Sequence, residues 1–168
     1  MIVKDPIEPI GEHHLLDGFD CGEDSLNQWL RNRARPNQVA GFSRTYVIAR
    51  EEQVVAYHAV SSFAIWRADA TGRAKRQSPQ QIPAVLLGRL AVDRGVQGRG
   101  LGALLVRHAM DLTIAAGDAV GIRLLIVNAL DEWVAAFYRQ FGLEPSPTNP
   151  LDLMITVNDL KASCPADR

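Results

Sequence analysis

The stretch that the rest of the chain serves, residues 86–112, reads L-L-G-R-L-A-V-D-R-G-V-Q-G-R-G-L-G-A-L-L-V-R-H-A-M-D-L. Leu90 and Val92 share one face of an extended segment, with the two-residue period of a half-buried strand. Gln97-Gly98-Arg99-Gly100-Leu101-Gly102 then places three glycines in six residues. After them Leu101, Leu104, Leu105, His108 and Leu112 recur at helical spacing, with Arg107 and Asp111 off that stripe. The order is strand, glycine loop, helix start. Such a loop offers unpaired backbone N–H groups and the positive end of a helix dipole. Glycine lets the backbone approach a ligand closely. The expected ligand carries phosphate.

The alternatives can be weighed on the residues. No G-K-[ST] follows the loop, so a Walker A reading fails. Gly98, Gly100 and Ala103 fit G-x-G-x-x-G/A, and Asp118 falls about twenty residues on. That acid should end the next strand, whereas Asp118 precedes the apolar run 122–127, and the loop lies past mid-chain. A nicotinamide site is therefore disfavoured. A glycine-bearing turn with no ligand stays open. Against it, three glycines at a helix start weaken the helix unless something requires them. Gln97, Gly100 and Gly102 form Q-x-x-G-x-G directly after R-L-A-V-D. This resembles the acyl-CoA-binding motif of the GNAT acetyltransferases. The resemblance implies that Gln97, Gly98, Arg99, Gly100, Leu101 and Gly102 hold the pyrophosphate of acetyl-CoA. It implies too that Leu90, Ala91 and Val92 offer backbone hydrogen bonds to the pantetheine arm.

The length of 168 residues suits one domain with a sizeable core, expected over residues 1–160, with 161–168 as a frayed tail. The apolar fraction of 47% and charged fraction of 22% are those of a soluble globular chain. No apolar run reaches the length of a membrane span, and the N-terminus lacks a signal-peptide core. Cys21 and Cys164 lie far apart without metal-ligand spacing, so free thiols, a cytoplasmic location and no metal are expected. The formal net charge of −1 predicts no affinity for nucleic acid by itself. Its distribution says more. Residues 25–92 hold ten Lys/Arg against three acids, and the remainder eight against sixteen. A basic face or simple interleaving on folding are both compatible with that.

Along the chain, residues 1–10 read as an edge strand broken by Pro6 and Pro9. Asp24 or Ser25 can cap a helix with Leu26, Trp29, Leu30 and Arg33 on one face, and Pro36 interrupts it. Residues 44–50 and 54–65 form a hairpin. The polar, basic segment 69–81 reads as a mobile loop or insertion, ended by Pro83. Residues 84–92 are the central strand, and Gly117 closes the helix after the glycine loop. Strand 122–127 follows. Asp131 can cap a helix through Phe141, with Trp133, Phe137 and Phe141 on its core face. Residues 151–157 are the last strand. This order resembles the GNAT fold, an α/β (α+β) arrangement. A mixed central sheet is flanked by helices, and two parallel strands, here 84–92 and 122–127, splay to admit the cofactor arm.

Making an amide from a thioester requires a neutral amine, a polarised carbonyl and a protonated leaving thiolate. The resemblance puts the tyrosine that protonates departing CoA on the helix D-E-W-V-A-A-F-Y-R-Q-F-G, at Tyr138, and a residue bonding the pantetheine arm at Asn128. Structural roles for both are the competing readings, as for His58 and His108. No residue stands out as a general base. An α-amine with a pKa near 8 is partly neutral already.

F-D-C-G-E-D-S-L-N-Q-W-L at residues 19–30, G-F-S-R-T-Y-V at 41–47 and L-G-R-L-A-V-D at 87–93 narrow the resemblance. They are similar to GNAT toxins of toxin–antitoxin modules. That implies acetylation of the α-amine of aminoacyl-tRNA, inhibition of translation, and a usual homodimer. It also implies a ribbon-helix-helix antitoxin, with operator DNA bound through it. Arg31, Arg33, Arg35, Arg73, Lys75, Arg76 and Arg89 are then candidate tRNA contacts. An acetyltransferase of a small amine or protein N-terminus is the alternative, and a non-catalytic CoA- or antitoxin-binding module a third reading.

Overall fold

The computed structural model describes residues 6–163; the first half of the expected edge strand and most of the expected tail, Cys164 included, lie outside them. The elements in order are β1 (Glu8–Pro9), α1 (Asp24–Asn32), α2 (Ala34–Ala40), β2 (Arg44–Arg50), β3 (Gln53–Trp66), α3 (Gly72–Lys75), β4 (Gln81–Val92), α4 (Leu101–Val120), β5 (Leu124–Asn128), α5 (Glu132–Arg139), β6 (Glu144–Pro145), β7 (Asp152–Thr156) and α6 (Val157–Ser163). The strands form one mixed seven-stranded sheet in the order β1-β2-β3-β4-β5-β7-β6. The chain divides into two units, residues 1–61 with 88–109, and residues 62–87 with 110–168.

The first unit has a core on each side of its strands. On one, Ile10, Leu16, Phe19, Leu30, Ala34, Val47, Val54, Tyr57 and Ala91 pack with Trp29 and Leu26 of α1. On the other, Ile48, Ala56, Leu101 and Leu105 pack with Leu90 and Val92. The two-residue period at Leu90 and Val92 thus assigned the face correctly. The β2–β3 register slips between Ile48 and Ala49. Val55 and Ala56 consequently join the same cluster, and Val54 and Tyr57 the opposite one. A bulge has this effect, adding one residue and breaking strict alternation.

The α1–α2 break falls at Arg33, whose N–H bonds to the Trp29 carbonyl, and not at Pro36. Pro36 sits in the first turn of α2, where its missing N–H leaves no intrahelical bond unmade. Neither Asp24 nor Ser25 caps α1. Glu23 occupies that position without a side-chain bond, because Asn27 and Asp20 satisfy the turn instead.

In the second unit, β4 and β5 run parallel, with Ala84 to Leu87 opposite Leu124 to Val127. β4 continues to Val92 beyond the last of these pairs. β5 pairs antiparallel with β7 on its other side. Ile65, Ala70, Ala74, Ile82, Ala84, Leu124, Ile126 and Met154 are its core.

Four expectations need correcting here. Segment 69–81 is an ordered cap and not a loose insertion. Ala70 and Ala74 are fully buried, Thr71 caps α3, and the Arg67 amide bonds to the Gln80 carbonyl at its base. Arg123 donates to the carbonyls of Arg73, Ala74 and Arg76, which supplies donors for the unpaired carbonyls at the end of this short helix. Pro83 lies inside β4 and does not precede it. α4 does not stop at Gly117. It runs to Val120, and the left-handed residue is Gly121 at φ 77°. Finally, α6 carries the chain through Lys161 to Ser163 where fraying was expected, with Lys161 Nζ 2.8 Å from Asp118 Oδ1.

Two histidines lie inside the first unit. His14 is buried; the Gly11 amide donates to its Nδ1, and its Nε2 lies 2.8 Å from Glu8 Oε1. An Nδ1 that accepts leaves the ring proton on Nε2, facing the carboxylate. His13 stands beside this pair, but the arrangement is already hydrogen-bonded without a cation. His58 is fully buried, shares a 2.8 Å hydrogen bond with His108 Nδ1, and stacks on Tyr46. Burial first, and then His108, hold its pKa down to about 3.

A folded-state pKa below the free value of about 6.5 means that the unfolded chain binds the proton more readily. The stability from neutral His58 is therefore complete above pH ~6.5 and is lost as pH falls towards 3. The unfolding midpoint of the wild type, followed by circular dichroism from pH 7.5 to 5, should fall more steeply than that of His58→Gln.

Candidate acetyl-CoA site

The loop between β4 and α4 belongs wholly to the first unit. Its shape is held from below by side chains. Asp93 Oδ1 accepts the Gly95 amide at 2.8 Å, and Asp93 Oδ2 accepts the Asp20 amide at 2.9 Å. The Arg94 amide returns a bond to the Asp20 carbonyl at 2.9 Å, and the Asp93 amide bonds to Val55 in the bulge. Gln97 Nε2 donates to the carbonyls of Val92 and Cys21, at 2.9 and 3.1 Å. The Gln97 side chain is thus taken up within the protein. Those two bonds tie the loop to the end of β4 and to the turn before α1.

Above this base, residues 97–100 are exposed. Gly98 and Gly100 have φ of 78° and 84°. A Cβ at either would meet nothing within 4 Å, so glycine is required by backbone conformation and not by crowding. The first helical bond of α4 runs from the Leu104 amide to the Gly100 carbonyl. The amides of Leu101, Gly102 and Ala103 precede it and have no acceptor within the helix. No acid stands in that first turn, and the helix behind it is 20 residues long. Leu101 and Leu105 are buried, which anchors the helix end against the strands. Amides without helical partners at a long helix's positive end fit the diphosphate of acetyl-CoA. Arg99 is exposed on the same loop.

The β4 residues expected to bond the pantetheine arm split by face. Leu90 and Val92 pack towards α4, and Ala91 towards α1. Arg89 is exposed on the side of Trp29, with its Cζ 5.4 Å from the indole centroid.

The other expected residues lie in the second unit. Asn128 is exposed at the end of β5, opposite Asp152 of β7. Asp131 caps α5, accepting the Val134 amide at 2.9 Å, as expected. The helix ends at Arg139 and not at Phe141, with left-handed Gly142 beyond. Its core face is also turned from the expected one. Ala135 and Tyr138 are buried and Trp133 is 86% exposed. One residue of offset on a helix rotates the face by about 100°. Phe137 meets the edge of Tyr138 and of Phe141, which keeps those three rings together. Burial pushes the Tyr138 phenol above its ordinary value. It therefore keeps its proton across the neutral range.

The candidate tRNA arginines fare unequally. Arg35 donates through Nε and Nη2 to the carbonyls of Gly11, Glu12 and His14, which makes it a clamp on that loop. Arg73 pairs with Asp159 at 3.0 Å. Arg31 reaches the Phe19 carbonyl only at 3.5 Å. Arg33, Lys75 and Arg76 are exposed. The sequence did not reveal the Asp20–Asp93 connection. Asp20 lay in a matched segment, but nothing in spacing links residues 73 positions apart.

Residues 41–145 match the family model described as the acetyltransferase (GNAT) domain. A tRNA-acetylating toxin of Mycobacterium tuberculosis (strain ATCC 25618 / H37Rv) is 46% identical over 147 residues, 88% of this chain and 89% of that protein. The structure of AtaT complexed with acetyl-methionyl-tRNAfMet is similar at 33% identity and TM-score 0.87, covering 94% of this chain and 97% of that one. A tyrosine-to-phenylalanine mutant of AtaT, bound to the C-terminus of the antitoxin AtaR and to acetyl-CoA, matches at 32% identity and TM-score 0.80, covering 95% and 98%. With the glycine loop, the α4 dipole and the β4 strand placed as described, this chain belongs to the GNAT acetyltransferase family.

Proposed function

We propose that this chain transfers acetyl from acetyl-CoA to the α-amine of aminoacyl-tRNA and acts as a toxin that inhibits translation. The observation that carries it is the likeness to a tRNA-acetylating toxin along 88% of the chain, supported by the left-handed Gly98 and Gly100 in the loop before α4. In this reading the loop amides hold the CoA diphosphate. Leu90, Ala91 and Val92 present their backbone to the pantetheine arm, and Asn128 bonds it. The neutral amine attacks the thioester carbonyl; a C–N bond forms and the C–S bond breaks. The amine's proton leaves to water, and the phenol of Tyr138 gives its proton to the departing thiolate and regains one from solvent. Arg31, Arg33, Lys75, Arg76 and Arg89 meet tRNA phosphates, Arg73 once freed of Asp159. An antitoxin of ribbon-helix-helix type covers the toxin and carries it to operator DNA. The working form is a cytoplasmic homodimer, each copy a single domain over residues 1–160. Among the described residues, no helix is long and apolar enough to cross a membrane.

The deciding experiment supplies purified protein with labelled acetyl-CoA and either bulk aminoacyl-tRNA or free amines and peptides. Label in the aminoacyl-tRNA fraction is expected; label only in small amines would replace this reading with the alternative one. Tyr138→Phe should lower the transfer rate at least 100-fold while acetyl-CoA affinity, measured by calorimetry, stays within about twofold. Gly100→Ala should do the opposite. A left-handed alanine is strained by about 1–2 kcal/mol, so the loop shifts and acetyl-CoA binds about tenfold more weakly. The initial rate should rise with pH as the α-amine loses its proton and level off above about pH 8. No falling limb from Tyr138 is expected below pH 9, since its phenol is held protonated.

A further inference from the structure

Arg89 is an exposed cation that the protein holds by its face. It stands on β4 three residues before the strand ends at Val92. Its guanidinium lies over Trp29, and Nη1 donates to the Gly88 carbonyl at 2.9 Å. Trp29 stacks on Tyr57, with centroids 6.0 Å apart and planes 7° from parallel. The Tyr57 hydroxyl donates to the Leu26 carbonyl at 2.7 Å, which fixes the ring to α1. Phe19 meets the Tyr57 edge at 5.5 Å. Phe19, Tyr57, Trp29 and Arg89 thus form a column from a fully buried ring to an exposed charge, all inside the first unit.

An arginine has five N–H donors, and among the described residues one is accepted here. No carboxylate among them pairs with it. Stacking on indole fixes the plane of the guanidinium while leaving its outer edge for an anion. We propose that Arg89 binds a phosphate of the acceptor strand of aminoacyl-tRNA, and that Trp29 is the positioning residue that holds it ready. This rests on the acceptor reading above. The chemistry is shared with the phosphates of acetyl-CoA, but strand direction separates the two. The amides that suit the CoA diphosphate follow Val92. An extended strand rises about 3.3 Å per residue, which puts Arg89 about 10 Å upstream, on the stretch where the arm runs towards its thioester. The phosphate that meets Arg89 there belongs to the second substrate.

The test is steady-state transfer to aminoacyl-tRNA by the full chain, with KM for each substrate and the salt dependence of kcat/KM. Arg89→Ala should raise KM for aminoacyl-tRNA about tenfold and leave KM for acetyl-CoA unchanged. The slope of log kcat/KM against log salt should become shallower by about 0.7–0.9, the loss of one phosphate contact. Trp29→Leu should reproduce both effects in part, and Trp29→Phe should recover most of the loss, since a phenyl face still carries the guanidinium. Arg89→Lys should not restore full affinity, because a lysine keeps charge but not a plane. Thermal midpoints of all variants identify any that simply unfold; the Trp29→Phe recovery and the salt slope then carry the decision. An Arg89→Ala enzyme with wild-type KM and slope for aminoacyl-tRNA overturns the proposal while the acceptor reading stands. A rise in KM for acetyl-CoA alone overturns it in favour of a CoA phosphate. Trp29→Leu behaving as wild type beside an impaired Arg89→Ala removes the positioning role. A wild type that acetylates no aminoacyl-tRNA removes the acceptor reading and the proposal with it.

Discussion

Everything in the site depends on a loop whose Asp93 and Gln97 side chains bond back to the protein. Asp93 and Gln97 are polar residues beside an anion site, and a carboxylate aimed outward there would repel phosphate. Both are bonded instead to the turn that precedes α1. That occupies both Asp93 oxygens and Gln97 Nε2, and leaves backbone amides beside them for a ligand. Gly98 and Gly100 then set the direction of those amides. The loop is therefore preorganised, and a ligand need not order it before binding. The same bonds tie the N-terminal segment to the strand and loop beyond residue 88. Within the first unit, folding of one is completion of the other.

Periodicity made part of this legible. Glycine density, the helical stripe from Leu101 to Leu112 and the alternation at Leu90 and Val92 are local signals, and each corresponds to a local element. Failures occur where a distant partner decides. Segment 69–81 is polar, which reads as a loop. Its order comes from two buried alanines and from Arg123, 47 positions past Arg76. Trp133 looked like a core residue because it is large and apolar; the helix instead buries Ala135 and Tyr138. A helical stripe can be drawn through either set, and only packing selects one. The β2–β3 bulge leaves no mark on sequence at all.

The arginines teach the same lesson for charge. Ten Lys/Arg in residues 25–92 suggested a basic face. Arg35 proves to be a clamp on carbonyls, and Arg73 pairs at the surface with an acid 86 residues away. A count of cations cannot distinguish a charge that organises backbone from one left for a ligand. The distinction lies in what each guanidinium touches. Arg35 meets carbonyls, Arg73 meets a carboxylate, and Arg89 meets an indole face. A carbonyl takes up donors, and a carboxylate cancels the charge. An aromatic face fixes the group while leaving its charge and most of its donors in place.

Division of labour between backbone and side chains follows from that. The diphosphate of acetyl-CoA is the same for every enzyme that uses it, and backbone amides suffice to hold it because they do not depend on which residue is present. Acceptors differ, and discrimination among them needs groups that can be exchanged one at a time. Under the proposed acceptor reading, the exposed arginines position the tRNA through its phosphates, and telling one acceptor from another falls to the surfaces beside them. Stacking a cation on Trp29 places an exchangeable contact next to an invariant one without disturbing it: the indole packs on the face that holds Ala91, and Leu90 and Val92 pack on the other. Under that reading, a change at Arg89 or Trp29 alters acceptor binding while the loop bonds at Asp93 and Gln97 stay as they are.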